Sequence, residues 1–216
     1  MEKNKLGIVI PAFNEEQTIA QVVNSAKVFG FVIVVDDASN DRTTLIAEAS
    51  GAIIVRHKIN KGYDKSINSG FKKALELNCD AVITFDADGQ HSTEMIPTYI
   101  NHLNKGVDLV LGVRPKTQRF SEMLFGLYTK RYLNWKDPLC GMKGYSMKIY
   151  KNLGHFDSFS SIGTELAFFG LSNKYKFKEV NIPEIGRIDS PRFATLFTSN
   201  KLILLSLLKN IKKYGL

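Results

Sequence analysis

The chain has 216 residues, 44% of them hydrophobic and 23% charged, and its 29 Lys and Arg against 21 Asp and Glu give a formal net charge of +8. This length and composition fit one globular domain with a substantial core and exclude a wholly disordered chain. The positive charge favours an anionic partner, for which nucleic acid, anionic lipid and nucleotide sugars are candidates.

Two features of the sequence bear on where the chain works. Its two cysteines, Cys79 and Cys140, have no metal-ligand spacing, and the segment Met1 to Lys5 is polar. Together they predict a reducing, cytoplasmic setting and no secretory signal. The longest apolar stretch, Leu202 to Leu208, is much shorter than the roughly 20 residues that cross a bilayer. We therefore expect any contact with a membrane to be peripheral, at its cytoplasmic face.

Short apolar runs alternate with helical patterns through the first half of the chain. The predicted strands are Leu6 to Ile10, Phe31 to Val35, Ala52 to Val55, Ala81 to Phe85 and Leu109 to Leu111. The predicted helices, with apolar residues three and four apart, are Glu15 to Lys27, Arg42 to Ala49, Asp64 to Leu77 and Glu94 to Leu103. This alternation predicts an α/β fold whose mostly parallel sheet is flanked by helices and binds ligands at its carboxyl edge.

The second half of the chain has a weaker pattern. Arg114 to Asp137 mixes basic and aromatic residues and predicts no clear element. A helix over Gly163 to Ser172 and a strand over Phe177 to Ile182 follow.

An apolar helix edged with lysines is predicted over Phe193 to Tyr214. We accordingly divide the chain into a domain of residues 1–192 and a C-terminal amphipathic helical appendage of residues 193–216. Two interpretations of the helix stay open, since its leucines and lysines suit an anionic membrane face, yet terminal helices also dock on the core of their own domain.

Oxygen-bearing side chains follow the predicted strand Ala81 to Phe85. Asp86, Asp88 and Gln90 alternate along this turn, and hard oxygen ligands of this type suit Mg²⁺ or Mn²⁺. Such an ion could offset the charge on a departing nucleoside diphosphate. Alternatively, the two aspartates only end the strand and cap the next helix.

Polar turns also follow the first two predicted strands. Asn14 and Glu15 follow the first, and Asp36 and Asp37 end the second, with Asp41 placed to cap the next helix. The carboxyl ends of parallel strands share one edge of a sheet. Three acidic turns at one edge of the sheet indicate a ligand site, because helix capping alone does not account for all of these acids.

These turns, in this order, closely resemble the family 2 glycosyltransferases. The resemblance covers the first 112 residues and is carried by Ile10 to Glu16, Val35 to Thr43, Asn60 to Gly62 with Asn68 and Gly70 downstream, and Asp86 to His91. It implies the GT-A fold and an inverting transferase of hexosyltransferase type that uses a UDP- or GDP-linked sugar.

The resemblance implies roles for the matching residues. Asp37 would contact the base, and the nucleotide site would comprise Pro11, Ala12, Asn14, Glu15, Asp36, Asp37, Lys61, Gly62, Asp86, Ala87 and Asp88. Asp86, Asp88 and Gln90 would hold Mg²⁺ or Mn²⁺ against the diphosphate. The residues expected to be catalytic are Asp86, Asp88, Arg114 and Glu165.

The nearest subgroup in resemblance is that of the dolichol- and undecaprenyl-phosphate sugar transferases. Its motifs continue as Gly112 to Arg114, Asp137 to Lys143 and Glu165, although Val113 and Cys140 stand where the subgroup commonly has serine. The implied acceptor is a polyprenyl phosphate. The cations expected to bind its phosphate are Arg114, Arg119, Arg187 and Arg192.

The acceptor determines whether a base is needed. Family members that act on hydroxyls commonly carry an Asp base where this chain has Leu166, whereas an ionised lipid phosphate needs none. The alternative acceptor is a saccharide or protein hydroxyl in surface polysaccharide or glycoconjugate assembly. Asp137, Asp157 or Glu165 would then supply the base.

Two other classes of protein are disfavoured. A nucleic-acid-binding module would show a basic stripe or a known motif, and neither is evident, so no nucleic-acid partner is expected. A sugar nucleotidyltransferase would open with a glycine-rich loop, and Pro11 to Glu16 has no glycine. The sequence is compatible with a homo-oligomer and does not identify the sugar.

Overall fold

The computed structural model describes residues 5–87, 93–115, 119–183 and 196–215. Its strands are β1 (Leu6–Ala12), β2 (Phe31–Asp36), β3 (Ile53–Arg56), β4 (Ala81–Thr84), β5 (Leu109–Val113), β6 (Lys143–Ser146) and β7 (Phe177–Asn181). Its helices are α1 (Ile19–Ala26), α2 (Thr43–Ala49), α3 (Tyr63–Glu76), α4 (Ile96–Asn104), α5 (Phe120–Leu133), α6 (Met147–Leu153), α7 (Glu165–Ser172) and α8 (Leu196–Tyr214).

The strands form one mostly parallel sheet in the order β3-β2-β1-β4-β6-β5-β7. Only β6 among them runs antiparallel, and it lies between β4 and β5. The register places Ala12 opposite Asp36 and Val9 opposite Thr84, so β1, β2 and β4 end at the same edge. The polar turns after these three strands therefore meet, as the sequence predicts.

The sheet is buried on both faces because its side chains alternate between two apolar clusters. Val9 belongs to the cluster covered by α3, α5, α7 and α8, which contribute Phe71, Phe125, Leu166 and Ile203 among others. Ile8, one residue earlier, belongs to the cluster covered by α1, α2 and α4. This layered arrangement confirms the predicted α/β fold, with a mostly parallel sheet flanked by helices.

The first helix starts later than predicted. Residues 14–16 form a polar turn whose backbone amides donate to Ser39 Oγ (2.9 Å), Thr43 Oγ1 (2.7 Å) and Asp41 Oδ2 (3.2 Å) on the neighbouring turn. These hydrogen bonds hold the backbone away from helical geometry, so α1 begins at Ile19 instead of Glu15.

The segment Arg114 to Asp137, which predicted no clear element, contains the 14-residue helix α5. Its apolar residues occur on both faces: Phe125 is buried, whereas Phe120 and Leu127 are exposed. An apolar stripe on one side is what makes a helix visible in a sequence, and α5 has none.

Helix α8 confirms the predicted C-terminal helix and packs on the rest of the chain by one face. Ile203 and Leu207 join the apolar core, and Ser206 Oγ donates to Ser161 O at 2.5 Å. The predicted boundary at residue 192 lies outside the described residues, and the division into domain and appendage stays a prediction. No helix in the described ranges is both long and apolar enough to cross a membrane.

Gly70 lets α3 lie directly on β1, and replacing it with alanine should destabilise the fold. A Cβ at this position would come within 2.2 Å of Val9 Cγ1 and 3.2 Å of Val9 Cβ. Alanine favours a helix interior by roughly 1 kcal/mol over glycine. Overpacking costs about 1–3 kcal/mol, so after this gain we expect Gly70→Ala to lower the free energy of unfolding by up to about 2 kcal/mol. Urea denaturation measures the change, with Lys72→Ala on the exposed face of α3 as control. A more stable Gly70→Ala variant would contradict the expectation.

Candidate functional site

A pocket of about 440 Å³ opens at the carboxyl edge of β1, β2 and β4. One end is lined by residues of the polar turns and of α3, namely Pro11, Ala12, Phe13, Glu15, Asp37, Asn60, Gly62 and Ser66. The other residues are Tyr63 at the start of α3, two residues that follow β4, and residues of the second half of the chain: Asp86, Ala87, Arg114, Arg119, Glu122, Leu139, Gly141, Lys143, Ile162 and Ile203. After the roles that the sequence resemblance implies, we call these the nucleotide end and the acceptor end.

Asp37 holds a loop of the nucleotide end in place. Its Oδ1 accepts from Lys61 N at 2.8 Å and lies 2.7 Å from His57 Nδ1, while its Oδ2 accepts from Gly62 N at 2.7 Å. The other ring nitrogen of His57 lies 2.9 Å from Ser69 Oγ. The carboxylate thus fixes the loop that carries Asn60 and Gly62 to the pocket. Contact between Asp37 and a base stays a prediction.

Three residues predicted for the nucleotide site lie outside the pocket lining. Asp36 is fully buried and serves the scaffold, since its carboxylate accepts from Ser39 N at 2.9 Å and pairs with Arg56 at 3.3 Å. Asn14 accepts from a backbone amide of the next turn, and the exposed Lys61 reaches Asp37 only through its backbone.

Asp86 occupies the pocket beside Gly141. A Cβ on Gly141 would lie 2.1 Å from Asp86 Oδ2, so only glycine leaves room for the carboxylate in this position. Asp88 and Gln90, the other predicted metal ligands, lie outside the described residues. Among the described residues there is no group of three or more His, Cys, Asp or Glu that could hold a metal. The carboxylate of Asp86 is a hard oxygen donor, so it fits the role of one ligand of a divalent ion.

Arg114 and Arg119 reach the acceptor end, but acidic side chains already hold them. Arg114 makes a two-pronged pair with Asp137, with Nε and Nη2 each at 2.8 Å, and a third bond to Glu122 at 3.1 Å. Arg119 bonds Glu122 at 3.3 Å. Their charges are therefore largely compensated. Arg187 and Arg192, also predicted to bind phosphate, lie outside the described residues.

Lys143 is a cation of the acceptor end to which the sequence assigned no role. Its side chain is buried, and within the described ranges the ammonium makes one hydrogen bond, to Gly163 O at 3.2 Å. Burial lowers the pKa of Lys143, and the nearby charges of Asp137 and Asp86 work in the opposite direction. The ammonium also lies 5.9 Å from the centre of the Trp135 ring. An ammonium has three donors, so it is able to bond an anionic ligand in the pocket as well as Gly163 O.

Glu165, predicted to be catalytic, is fully buried and does not line the pocket. It accepts from Ser158 N and Lys213 Nζ, both at 2.5 Å, from Tyr214 OH at 2.9 Å, and pairs with His155 at 3.0 Å. Burial alone would raise the pKa of Glu165, but these donors outweigh it and lower the pKa. The residue fastens the end of α8 to the start of α7, and its predicted catalytic role stays a prediction.

Helix α3 clamps the loop that ends at Gly163. Asp64 accepts from Ile162 N at 3.2 Å and Gly163 N at 2.6 Å, and Asn68 Oδ1 accepts from Phe156 N at 2.9 Å. Within this loop Ile162 and Gly163 adopt left-handed φ angles of 57° and 69°. The clamp thereby presents the Gly163 carbonyl to the ammonium of Lys143.

Several residues of the acceptor end carry no role predicted from the sequence. Lys143 lies in a recognised motif, and its place two residues after Gly141, at the start of a short strand, was a usable signal. Glu122 and Ile203 gave no such signal, because they belong to helices that reach the pocket only through long-range packing.

Comparison with protein families gives one match over most of the chain. Residues 7–154 match the model described as glycosyl transferase family 2. A protein of uncharacterised function from Methanocaldococcus jannaschii is 31% identical over 204 residues, which cover 86% of this chain and 83% of that protein.

Two further similarities concern characterised proteins. UDP-N-acetylglucosamine–dolichyl-phosphate N-acetylglucosaminyltransferase of Methanococcus voltae is 34% identical over 132 residues, or 52% of this chain and 53% of that enzyme. The crystal structure of glucosyl-3-phosphoglycerate synthase from Mycobacterium tuberculosis with Mn²⁺, UDP and glucosyl-3-phosphoglycerate superposes with a TM-score of 0.77. The match covers 98% of this chain and 80% of that one at 19% identity, which shows a shared fold.

The clamp residue Asp64 should give the stability of the protein a distinct pH dependence. Burial, and then the charge of Asp157, raise the pKa of Asp64 from 3.8 to about 6. The fold therefore favours the protonated acid, and the contribution of Asp64 to stability falls as the pH rises from about 4 to about 6. Relative to Asp64→Asn, wild type should lose up to about 3 kcal/mol of unfolding free energy across this window and no more above pH 7 or so. Denaturant titrations at several pH values measure the difference. A gap that widens in favour of wild type as the pH rises would refute the assignment.

Proposed function

Since the chain belongs to glycosyl transferase family 2, we propose that it transfers a sugar from a nucleotide-sugar donor to a polyprenyl phosphate at the cytoplasmic face of a membrane. The observation that carries the proposal is the buried ammonium of Lys143 at the acceptor end of the pocket. Leu166, where family members acting on hydroxyls commonly have their base, is fully buried in the apolar core.

Each of the three acids that could deprotonate an acceptor hydroxyl in place of Leu166 already has hydrogen-bond or ion-pair partners within the protein. Asp137 is paired with Arg114, Asp157 accepts from Ser160 N and Ser161 N at 2.7 Å each, and Glu165 is closed in by α8. An acceptor that is already ionised needs no proton removed. This arrangement favours a phosphate over a hydroxyl as the nucleophile.

The pocket suggests how the reaction would run. The donor nucleotide would lie at the nucleotide end, and its diphosphate would reach Asp86. A divalent ion held by Asp86 with Asp88 and Gln90 would neutralise the leaving diphosphate as a Lewis acid. An acceptor phosphate oxygen, bound by Lys143, would attack the anomeric carbon from the face opposite the nucleotide. The bond between that carbon and the diphosphate oxygen breaks, its electron pair leaves with the nucleotide, and the anomeric centre inverts.

The comparisons support parts of this scheme. The relative from Methanococcus voltae is named for a UDP-linked donor and a dolichyl phosphate acceptor, and the crystal structure from Mycobacterium tuberculosis contains UDP and Mn²⁺. That structure also contains a glucosylated phosphoglycerate, so an acceptor hydroxyl in a saccharide, protein or small acid is the alternative to be tested.

Metal dependence can be tested at Asp86. Replacing it with asparagine removes the charge of one proposed ligand, so Asp86→Asn should lower sugar transfer by about a hundredfold or more. Isothermal titration with UDP, in Mn²⁺ and then in excess EDTA, should show binding by wild type only with the metal. Thermal unfolding controls for the fold. Full turnover in EDTA by a folded wild-type protein would exclude the metal.

The acceptor can be tested with a panel of donors and acceptors. Purified protein is offered UDP-, GDP- and CMP-linked sugars with a short-chain polyprenyl phosphate, a neutral saccharide or phosphoglyceric acid. We expect transfer to the polyprenyl phosphate. Lys143→Met should lower kcat/KM for it by roughly 10- to 100-fold, the value of a hydrogen bond to a charged group, with UDP affinity unchanged.

Lys65→Met, an exposed lysine on α3, is the matched control and should behave as wild type. Transfer to the saccharide or to phosphoglyceric acid alone would replace the lipid phosphate by a hydroxyl acceptor.

A further inference from the structure

The exposed apolar residues of the protein are concentrated on two helices. Of the fourteen large hydrophobic residues that are exposed in the described ranges, nine lie on α5 and α8, which together have 33 residues. Soluble monomers seldom expose contiguous apolar patches, and those that do commonly use them to bind a partner.

The exposed side of α5 is apolar along its first half. Phe120 is 67% exposed and Leu127 57%, and Met123 and Leu124 lie between them. Phe125, Gly126 and Thr129 of the same helix are buried, so these four residues lie on the side of α5 that faces away from the core.

The exposed side of α8 repeats the pattern. Leu208 is 60% exposed, and Leu202, Leu204 and Leu205 are also exposed. Ile203 and Leu207, which alternate with them around the helix, are buried in the core. Docking of α8 on the core therefore leaves a row of leucines in water.

The two apolar faces are neighbours and border the pocket. Helices α5 and α8 pack against each other, and Ser121 Oγ donates to Asn200 Oδ1 at 2.5 Å between their first turns. Glu122 of α5 and Ile203 of α8 both line the acceptor end of the pocket. The two helices that carry the exposed apolar residues thus also contribute to the lining of the pocket.

The charge on these helices selects the kind of partner. They carry six exposed basic residues, Lys130, Arg131, Lys201, Lys209, Lys212 and Lys213, and in the described part of the chain only the charge of Lys213 among them is compensated, by the buried Glu165. Their described residues include one acid, Glu122, which is buried against Arg114 and Arg119. Exposed leucine and phenylalanine edged by lysine, without exposed acid, match the interface of an anionic bilayer.

We propose that the exposed faces of α5 and α8 form one surface that docks on an anionic lipid bilayer and brings the acceptor end of the pocket to the membrane. The docking is argued from exposure and charge and stands without the acceptor assignment. Delivery of a lipid-borne phosphate into the pocket rests on the proposed function. The lipid chain would remain in the bilayer while its head group enters the acceptor end of the pocket.

Vesicle sedimentation tests the surface without donor or acceptor. The full chain should pellet with phosphatidylcholine vesicles that contain phosphatidylglycerol, and salt should weaken the binding. The double variant Leu127→Glu/Leu208→Glu should bind at least about tenfold more weakly, since each leucine lost from the interface costs that much or more. Leu45→Glu, on α2, is the matched control because Leu45 is 66% exposed away from both helices. It should pellet as wild type does.

Three results would overturn the proposal. The first is that wild type does not pellet with the vesicles, and the second is that wild type and the double variant pellet equally. The third is that wild type does not bind vesicles but forms a dimer in sedimentation velocity, which the double substitution dissociates. The last would assign the surface to a second copy of the chain. Because vesicle binding is measured without turnover, failure of the acceptor assignment leaves this result intact.

Discussion

The Thr84 hydroxyl joins the two halves of the chain at the point on which the pocket depends. It donates to Gly141 O at 2.7 Å and accepts from Lys143 N at 3.1 Å, across the antiparallel pair β4–β6. This pairing puts Gly141 against Asp86 and aims Lys143 at the pocket. If β6 did not pair with β4, Asp86 would still follow β4, but Gly141 and Lys143 would not be held beside it to form the acceptor end of the pocket.

The sequence predicted a larger share of the residues that line the nucleotide end than of those that line the acceptor end, for a physical reason. Pro11, Glu15 and Asp37 lie at or shortly after the ends of strands, and strand ends in a parallel sheet meet at one edge whatever the details of packing. Residues such as Glu122 and Ile203 reach the pocket only because α5 and α8 pack together, which no local pattern records.

The acidic residues also show what a sequence pattern cannot predict. A carboxylate in a strand-end turn, such as Asp36 or Asp37, looks the same in the sequence whether it meets a ligand or a backbone amide. In the structure Asp36 accepts from Ser39 N and Asp37 from Lys61 N and Gly62 N, while Glu165 closes the junction of α7 and α8. The sequence identified acids with structural importance but could not separate positioning from chemistry.

The anchoring of Glu165 by α8 also bears on how the chain is made. Lys213 and Tyr214 supply two of the donors that compensate this fully buried carboxylate, 48 and 49 residues further along the chain. While residues 213 and 214 are still inside the ribosome, the nascent chain must either leave Glu165 exposed or bury its carboxylate without these two donors. Burying a charge without its hydrogen-bond partners is costly. The packing of α7 therefore cannot finish during early synthesis, and closure of the domain awaits residues 213 and 214.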